Sequence, residues 1–340
     1  MNILWQTKLV SGINPDGTSM IAGVGAGEKR VPEGCSVFFG VIFMQFVPAQ
    51  PLVYEFTRQL PPRCRVVSGD VIRVETEDAL SGQIRRAGDR RDKSVVPFSN
   101  PVSGPIWVEG AEPGDELAVT ILGIESRDGQ CATWTGAPGL LAEWLGTDVP
   151  HGAHVCPIRD GLVYWKDRVT IPFQPMLGCI GTAPEWGVPS TIPAGVYGGN
   201  LDLVEVCPGS TVYLPVRVPG GYLFVGDAHA AMGHGELSCT GLEMAALSTL
   251  KIELRRRPAF TGLRISHPEF LLTAATRGNH ERAMAEAFAR MILWLEAEYG
   301  WARWDAYDLL THTARISIGY YGSGTVGVRL ERRYAEASGG

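Results

Sequence analysis

The sequence predicts a mostly β, α+β fold with its helices gathered near the C-terminus, and three observations predict it. Forty-two glycines and 23 prolines are scattered through 340 residues without forming a low-complexity block, as tight turns between short strands require. One local design recurs, a Gly turn leading into an alternating apolar run. Helical periodicity is confined to the chain beyond residue 280.

The strands come first. "VVSGDVIRVET" (Val66 to Thr76), "AEPGDELAVTILGIE" (Ala111 to Glu125) and "VCPGSTVYLPVRV" (Val206 to Val218) each place Gly-Asp or Gly-Ser directly before β-rich residues. The apolar stretch Val37 to Val47 is too short to cross a bilayer and reads as one or two buried strands. Segments beginning at Gly104 ("GPIWVEGAEPGDELAV") and Gly199 ("GNLDLVEVCPGSTVYL") both run ten residues to a turn glycine, Gly114 and Gly209. A duplicated β unit, each half lending loops to one cleft, is therefore expected, and the core is read as sandwich- or barrel-like. "GYLFVGD" reads as a strand over Tyr222 to Val225 that breaks at Gly226. The stretch Gly241 to Ala246 opens a helix or is a loop feeding the strand "LSTLKIEL" (Leu247 to Leu254).

Helices follow. From Glu281 to Tyr299, Met284, Phe288, Met291, Ile292 and Leu295 recur at three- and four-residue spacing, giving one buried stripe that Gly300 ends. A second helix is expected over Arg303 to His312, and the small, polar tail after Arg333 is expected to fray.

Composition bounds the partners. With 45% apolar and 19% charged residues the chain reads as an ordinary globular protein, and a net charge of -6 with no large basic face argues against nucleic acid. The local cluster Arg85, Arg86, Arg90, Arg91 and Lys93 is interspersed with Asp89 and Asp92 and reads as a solvated loop. Met1 to Gly17 lacks a basic segment followed by a long apolar one, so neither export nor a membrane is expected. Seven cysteines with no close pair read as reduced, mostly buried thiols of a cytoplasmic protein.

The chemistry concentrates in "VGDAHAAMGHGEL" (Val225 to Leu237), where Asp227, His229, His234 and Glu236 lie between glycines. Asp227 and His229 are two apart and, if extended, point to one side. Carboxylate oxygen and imidazole nitrogen are usual ligands of a catalytic divalent metal, and Glu236 would make a third. The same residues also suit a Gly-rich turn whose Asp and His bond to the backbone. Glu109, Asp202 and Asp78 each lie at a strand end near glycine, whereas Asp115 is read as a turn cap and Glu112 as solvated. H-E-x-x-H, G-x-S-x-G and P-loop motifs are absent, and "GVGAG" (Gly23 to Gly27) lacks dinucleotide-binding spacing. Cys239 is a rival nucleophile, served by His229 or His234, although a buried inert thiol is the better reading.

Four blocks then carry a family resemblance: "NPVSGPIWVEGAEPGDELAVTILGIE" (Asn100 to Glu125), "IPAGVYGGNLDLVEVCPGSTVYLPV" (Ile192 to Val216), "VGDAHAAMGHGELSCTGLEM" (Val225 to Met244) and "EAEYGWARWDAYDLLTHTARISI" (Glu296 to Ile318). In order and spacing the chain resembles the acetamidase/formamidase family from about Val66 to Ile318, and the likeness fades before residue 60. The resemblance implies a two-lobed β fold with C-terminal helices, residues 1-60 forming an N-terminal β segment packed on a catalytic domain of residues 61-335. It implies hydrolysis of a small linear amide to carboxylate and ammonia. The site positions it matches are Asp78, Glu109, Asn200, Asp202, Asp227, His229 and Glu236. Two departures stand out: Met232 and His234 replace the family's usual Gln and Asp, and Phe38-Phe39 stands where a His-Trp pair often occurs.

The expected site follows. Asp78, Asp202, Asp227 and His229 would hold a divalent metal, zinc in the first place, with calcium as a candidate second, structural ion. The metal would activate a water for attack on the amide. Glu109, Glu236 and His229 would carry protons, and Asn200 would steady the oxyanion. Asn200, Met232 and His234 would contact substrate, and Trp107, Trp134, Trp186 and Tyr197 either line the pocket or belong to the core. A homo-oligomer, a dimer first, is the expected assembly. The rival readings are the cysteine hydrolase and a non-catalytic β protein that binds a small ligand.

Overall fold

The computed structural model describes residues 8–13, 19–24, 44–135, 139–148, 152–166 and 168–337. Phe38-Phe39 and most of the Val37 to Val47 stretch lie outside them, although Gln45–Val47 is a strand.

Turn-rich, alternating sequence gives two large sheets. The 11-stranded sheet is centred on Leu223–His229, which pairs with Met176–Gly181, Val102–Val108 and Glu243–Met244. The nine-stranded sheet is centred on Glu116–Ser126, between Thr211–Pro215 and Ala246–Arg255. Each sheet runs from edge strand to edge strand, so neither closes, and the barrel-like alternative gives way to stacked open sheets. Inward residues of both sheets form one core. Leu117, Val119 and Ile121 come from the nine-stranded sheet, Ile106, Leu223 and Val225 from the other. The period-two burial of Ala246–Arg255 shows why the pleat assigns every second residue to that core.

The two echoing segments behave alike in space. Each passes from the 11-stranded sheet (Val102–Val108; Gly198–Asn200) through a left-handed glycine, Gly114 or Gly209, into the nine-stranded sheet. There the strands they feed lie side by side and antiparallel, Leu117 opposite Leu214.

The C-terminal helices cover one face. Helix His280–Tyr299 is capped by the Asn279 side chain, which accepts a hydrogen bond from the Arg282 amide, and ends on left-handed Gly300. Helix Arg303–Thr313 follows. The buried face of the first is Ala283, Ala287, Met291, Trp294 and Leu295, while Met284 faces outward and Phe288 and Ile292 are half-buried. The expected stripe is thus rotated, because small alanines let the helix approach the sheet closely enough for Thr273 Oγ1 to donate to the Ala287 carbonyl at 2.7 Å.

Three local expectations change. The strand expected to stop at Gly226 runs on to His229, because both its edges are paired there. Gly241 to Ala246 is not helical: Glu243–Met244 pairs with Leu223–His229 and Gln130–Trp134, and Ala246 begins the next strand. The start of the tail after Arg333 is held through a short helix, Arg332–Ala335, whose Ala335 is buried and accepts a hydrogen bond from Trp301 Nε1 at 2.8 Å, while residues 338–340 lie outside the described residues.

Candidate functional site

Five ionisable side chains converge on the 11-stranded sheet and its loops. Asp227 and His229 come from the central strand, Asp202 from the turn after Gly198–Asn200, Glu236 from the loop beyond His229, and Glu243 from the strand opposite His229. All five are buried, His229 and Asp202 completely. Their donor atoms form two groups, Asp227–His229–Glu243 and Asp202–His229–Glu236, and within each group the atoms lie within 4.8 Å of one another. His229 belongs to both. Its Nε2 lies 3.5 Å from Asp227 Oδ1 and 3.3 Å from Glu243 Oε2.

The backbone is bent to make this possible. Asp202, Asp227, Glu236 and Asn100 all have left-handed φ angles, between 40° and 56°. Each such non-glycine residue costs about 1–3 kcal/mol, and such strain persists where surrounding structure enforces it, often at functional sites. Two glycines give the cluster room. A Cβ on Gly178 would lie 2.5 Å from Asp227 Oδ2 and 2.7 Å from Asp202 Oδ1, and one on Gly241 would lie 2.5 Å from His229 Nδ1.

A ring of neutral donors orients the acids. Asn100 Nδ2 donates to Asp227 Oδ2 at 3.0 Å, and Asn200 Nδ2 donates to Asp202 Oδ2 at 2.7 Å. The buried Cys179 thiol donates to Asn200 Oδ1 at 2.8 Å. The Gly241 amide donates to Glu243 Oε1 at 2.8 Å. Yet Asp202 Oδ1, Asp227 Oδ1, Glu243 Oε2 and both nitrogens of His229 are buried without a hydrogen-bond partner. Buried polar atoms are seldom left so, and carboxylate oxygens gathered around one nitrogen of His229 fit a divalent cation.

Electrostatics agree. Burial, reinforced by the neighbouring carboxylates, pushes Asp202 up to about 8, Glu236 to about 10 and Glu243 to about 7. Burial opposes charge on His229 as well, but Glu243 and Asp227 outweigh it and hold its pKa well above the usual imidazole value. With only His229 to oppose them, the acids resist ionising together; a bound cation inverts that balance.

The cluster opens into a cleft of about 1190 Å³, whose lining includes Glu236, Glu243, Asn100, Asn200, Trp134 and Tyr320.

Comparison with known proteins places this architecture. The model of the Acetamidase/Formamidase family matches residues 49–190 and 187–319. The chain belongs to the acetamidase/formamidase family. It is 31% identical over 255 residues to a formamidase of Methylophilus methylotrophus, covering 57% of this chain and 62% of that protein. It is 29% identical over 259 residues to an acetamidase of Mycolicibacterium smegmatis, covering 57% and 64%. The chain therefore matches less than two thirds of the length of these relatives. Among solved structures, an acetamidase from Bacillus halodurans superposes with a TM-score of 0.80 at 30% identity, covering 87% of this chain and all of that one. A gamma lactamase from Delftia acidovorans, at 22% identity and a TM-score of 0.56, shares the fold.

Within this family member the expected residues divide. Asp202, Asp227, His229, Glu236 and Asn200 come together. Glu109 does not: it is half-exposed, accepts a hydrogen bond from Trp107 Nε1 at 3.1 Å and pairs with Arg65 at 3.1 Å, away from the cleft lining. Asp78 is buried beside the cleft wall, but its Oδ1 accepts the Leu80 and Gly82 amides and its Oδ2 pairs with Arg85, so it closes a turn and belongs to neither ligand group. Met232 is half-buried and His234 exposed, and neither lines the cleft.

The aromatics divide too. Trp134 lines the cleft, Tyr197 packs against Phe56 with their rings tilted, Trp107 packs against Tyr222, and Trp186 is exposed. Cys239 lines the cleft and is exposed overall, which corrects the expectation of a buried thiol. Its sulfur is nevertheless desolvated and faces Glu236, which pushes the thiol up to about 11 and makes it a poor nucleophile.

Glu243, Asn100, Cys179 and Gly178 were not singled out by sequence reasoning. Glu243 and Asn100 stand inside the blocks that carry the family resemblance, but nothing local marks either. Glu243 reaches the site only through its pairing opposite His229.

Proposed function

We propose that the chain is an amidohydrolase that cleaves the C–N bond of a small linear amide, releasing a carboxylate and ammonia, with a divalent metal at the buried cluster. The observation that carries this reading is the set of orphaned buried polar atoms of Asp202, Asp227, His229 and Glu243 at the base of an open cleft. Membership of a family whose relatives include a formamidase and an acetamidase supports the substrate class.

Asp227, His229 and Glu243 would hold the metal, with Asp202 beside them. A bound metal supplies Lewis acidity, acidifying water and polarising the amide carbonyl. The imidazole common to both groups supports zinc over calcium, which prefers oxygen ligands; a structural calcium elsewhere stays a separate proposal.

The chain's own groups do the rest. Glu236, on the cleft lining and beside Asp202, would carry the proton: as the carboxylate that a nearby cation favours, it would take a proton from the attacking water and return it to the departing nitrogen. The water oxygen bonds to the carbonyl carbon, the C–N bond breaks, and the nitrogen leaves as ammonia. Asn200 is held by the Cys179 thiol and by Asp202, and one of its two amide hydrogens remains to steady the developing oxyanion. Strained backbone and bonded neighbours fix these groups before substrate arrives, which is where electrostatic catalysis gains most.

We further propose that residues 61-335 act as the catalytic unit, with the described residues 44–60 of the N-terminal segment packed on it. Support comes from Phe56, fully buried against Tyr197 and Phe224, and from the parallel pairing of Gln45–Val47 with Val71–Thr76. A cytoplasmic site of action is supported by reduced, buried thiols at Cys64, Cys131 and Cys179. A homodimer is proposed on exposed apolar residues such as Leu140, Trp144 and Leu145.

The test is ammonia release from formamide, acetamide and larger primary amides by protein whose metal content has been measured. The expected result is turnover that disappears on exhaustive chelation and returns with zinc. Full turnover by metal-free protein would overturn the metal; abolition by Cys239→Ala would favour a cysteine hydrolase; and no turnover of any amide, with ligand retained unchanged, would favour a binding protein.

A further inference from the structure

The cleft is larger and more cationic than a formamide or acetamide needs. Its volume, about 1190 Å³, is at the upper end of clefts that enclose drug-sized ligands, and an amide of a few heavy atoms would leave most of it to water. Arg90, Arg91, Asp92 and Lys93 contribute to one part of its lining, three cations to one carboxylate there, while Glu236 and Glu243 bring the acidic groups of the rest. The solvated loop expected from the sequence is thus a wall of the site.

These cations carry no counter-ion within the described residues. Arg85, on the same loop, pairs with Glu77, Asp78 and Asp128. Arg90, Arg91 and Lys93 form no ion pair with any described residue, and the buried Arg91 Nε has no hydrogen-bond partner. Asp92 is turned aside, its Oδ1 accepting both the amide and the hydroxyl of Ser94. The loop is also anchored. Gln83 exchanges two hydrogen bonds with the Asp92 backbone, Arg91 donates to the Phe98 carbonyl, and Phe98 packs on Tyr54. An anchored segment of cations without counter-ions, in the same cleft lining as Glu236 and Glu243, gives the cleft two chemically opposite parts.

We propose that the cleft selects amides whose far end carries a carboxylate, with the amide at Glu236 and Glu243 and the carboxylate at Arg90, Arg91 and Lys93. This rests on the amidohydrolase reading and names its substrate class. A guanidinium pair with a carboxylate is charge-assisted and directional, and arginines without an internal counter-ion need break no ion pair to make it. Apolar wall residues, Leu80 and Ile192 among them, suit a methylene chain between the two ends.

The experiment compares two primary amides of equal chain length, neutral hexanamide and adipamate, the monoamide of adipic acid. For the zinc-loaded full chain, kcat/KM should favour adipamate by about tenfold or more at low salt, through KM, and the preference should shrink as salt is raised. In Arg90→Gln/Lys93→Gln the adipamate-to-hexanamide ratio should fall by about the same factor; Arg91→Gln, which also loses a loop contact, is a second variant read by the same ratio. Equal kcat/KM for the two amides, or a ratio untouched by both variants, would overturn the proposal. If neither amide turns over, the amidohydrolase reading fails separately. Calorimetry then decides the wall: tighter binding of adipamate than hexanamide, lost in the double variant, supports it, and equal binding overturns it.

Discussion

Gly178 lies directly against Asp227: the Cβ of any larger residue there would stand 2.5 Å from Asp227 Oδ2 and 2.7 Å from Asp202 Oδ1. Both acids sit on backbone already forced into the left-handed region, so they have little freedom to retreat. Gly178→Ala should therefore spread the cluster while leaving the sheet intact. We expect metal content to fall well below one equivalent and kcat/KM to drop about 100-fold, the scale at which small misplacements act. Circular dichroism should remain that of the parent. Normal metal content and activity in this variant would contradict the assignment.

Gly241 repeats the test from the other side. Its Cβ would meet the His229 ring, and its amide holds Glu243 Oε1. Gly241→Ala should lower metal affinity, and increasing the zinc concentration should restore part of the activity, because a tilted imidazole remains a ligand. Absence of any zinc-dependent recovery, with a folded protein, would count against His229 as the shared ligand.

Glu243 and Glu109 can be set against each other. Both are glutamates near strand ends, but one is buried beside His229 and the other is half-exposed and paired with Arg65. Glu243→Gln should abolish detectable amide hydrolysis, while Glu109→Gln should keep kcat within about twofold of the parent, as surface pairs contribute little. The reverse outcome would return Glu109 to the proton-transfer role that its sequence block suggested.

That contrast marks where the sequence stops being readable. The β class, the C-terminal helices and the Asp227–His229 pair are legible because each is written in local periodicity or in residues two apart. Glu243 is invisible by the same means: it enters the site through its register opposite His229, and register is fixed by neighbouring strands and not by the residues around it. Gly226 misled for a related reason. A glycine after a strand reads as a stop, but here pairing on both edges carries the strand through it to His229. Arg90 and Lys93 read as a solvated run because the fold that turns them toward a cleft lies outside their own segment.

Metal removal should register in stability as well as in activity. Four buried carboxylates with one imidazole repel one another, as the raised pKa values of Asp202, Glu236 and Glu243 record. Chelated protein should melt lower, and zinc at about 100 times its Kd should restore roughly 2.7 kcal/mol. Glu243→Gln removes one of the repelling charges and keeps the carbonyl that accepts the Gly241 amide. The metal-free variant should thus melt no lower than the metal-free parent, and higher if repulsion dominates. A lower melting temperature than the metal-free parent would mean that Glu243 is a structural partner of His229 first and a ligand second.

The last prediction concerns the scaffold that holds the nine-stranded sheet against its helix. Arg264 and Glu116 are both fully buried, joined by a two-point ion pair in which Arg264 Nη2 donates to Glu116 Oε1 at 3.0 Å. Tyr213 and Trp294 lie against the guanidinium, 4.3 and 5.1 Å from its centre. Stranding a buried charge typically costs about 3–5 kcal/mol; without Arg264 the buried Glu116 keeps only Arg255, 3.2 Å away, as a partial counter-charge, whereas replacing both members of the pair by apolar groups is often neutral. Arg264→Met should therefore cost several degrees of Tm. Arg264→Met/Glu116→Leu should recover most of that loss, with amide turnover preserved because the pair lies outside the cleft lining. A double variant no more stable than Arg264→Met would show that the stacked guanidinium, and not the charge balance, holds this part of the core together.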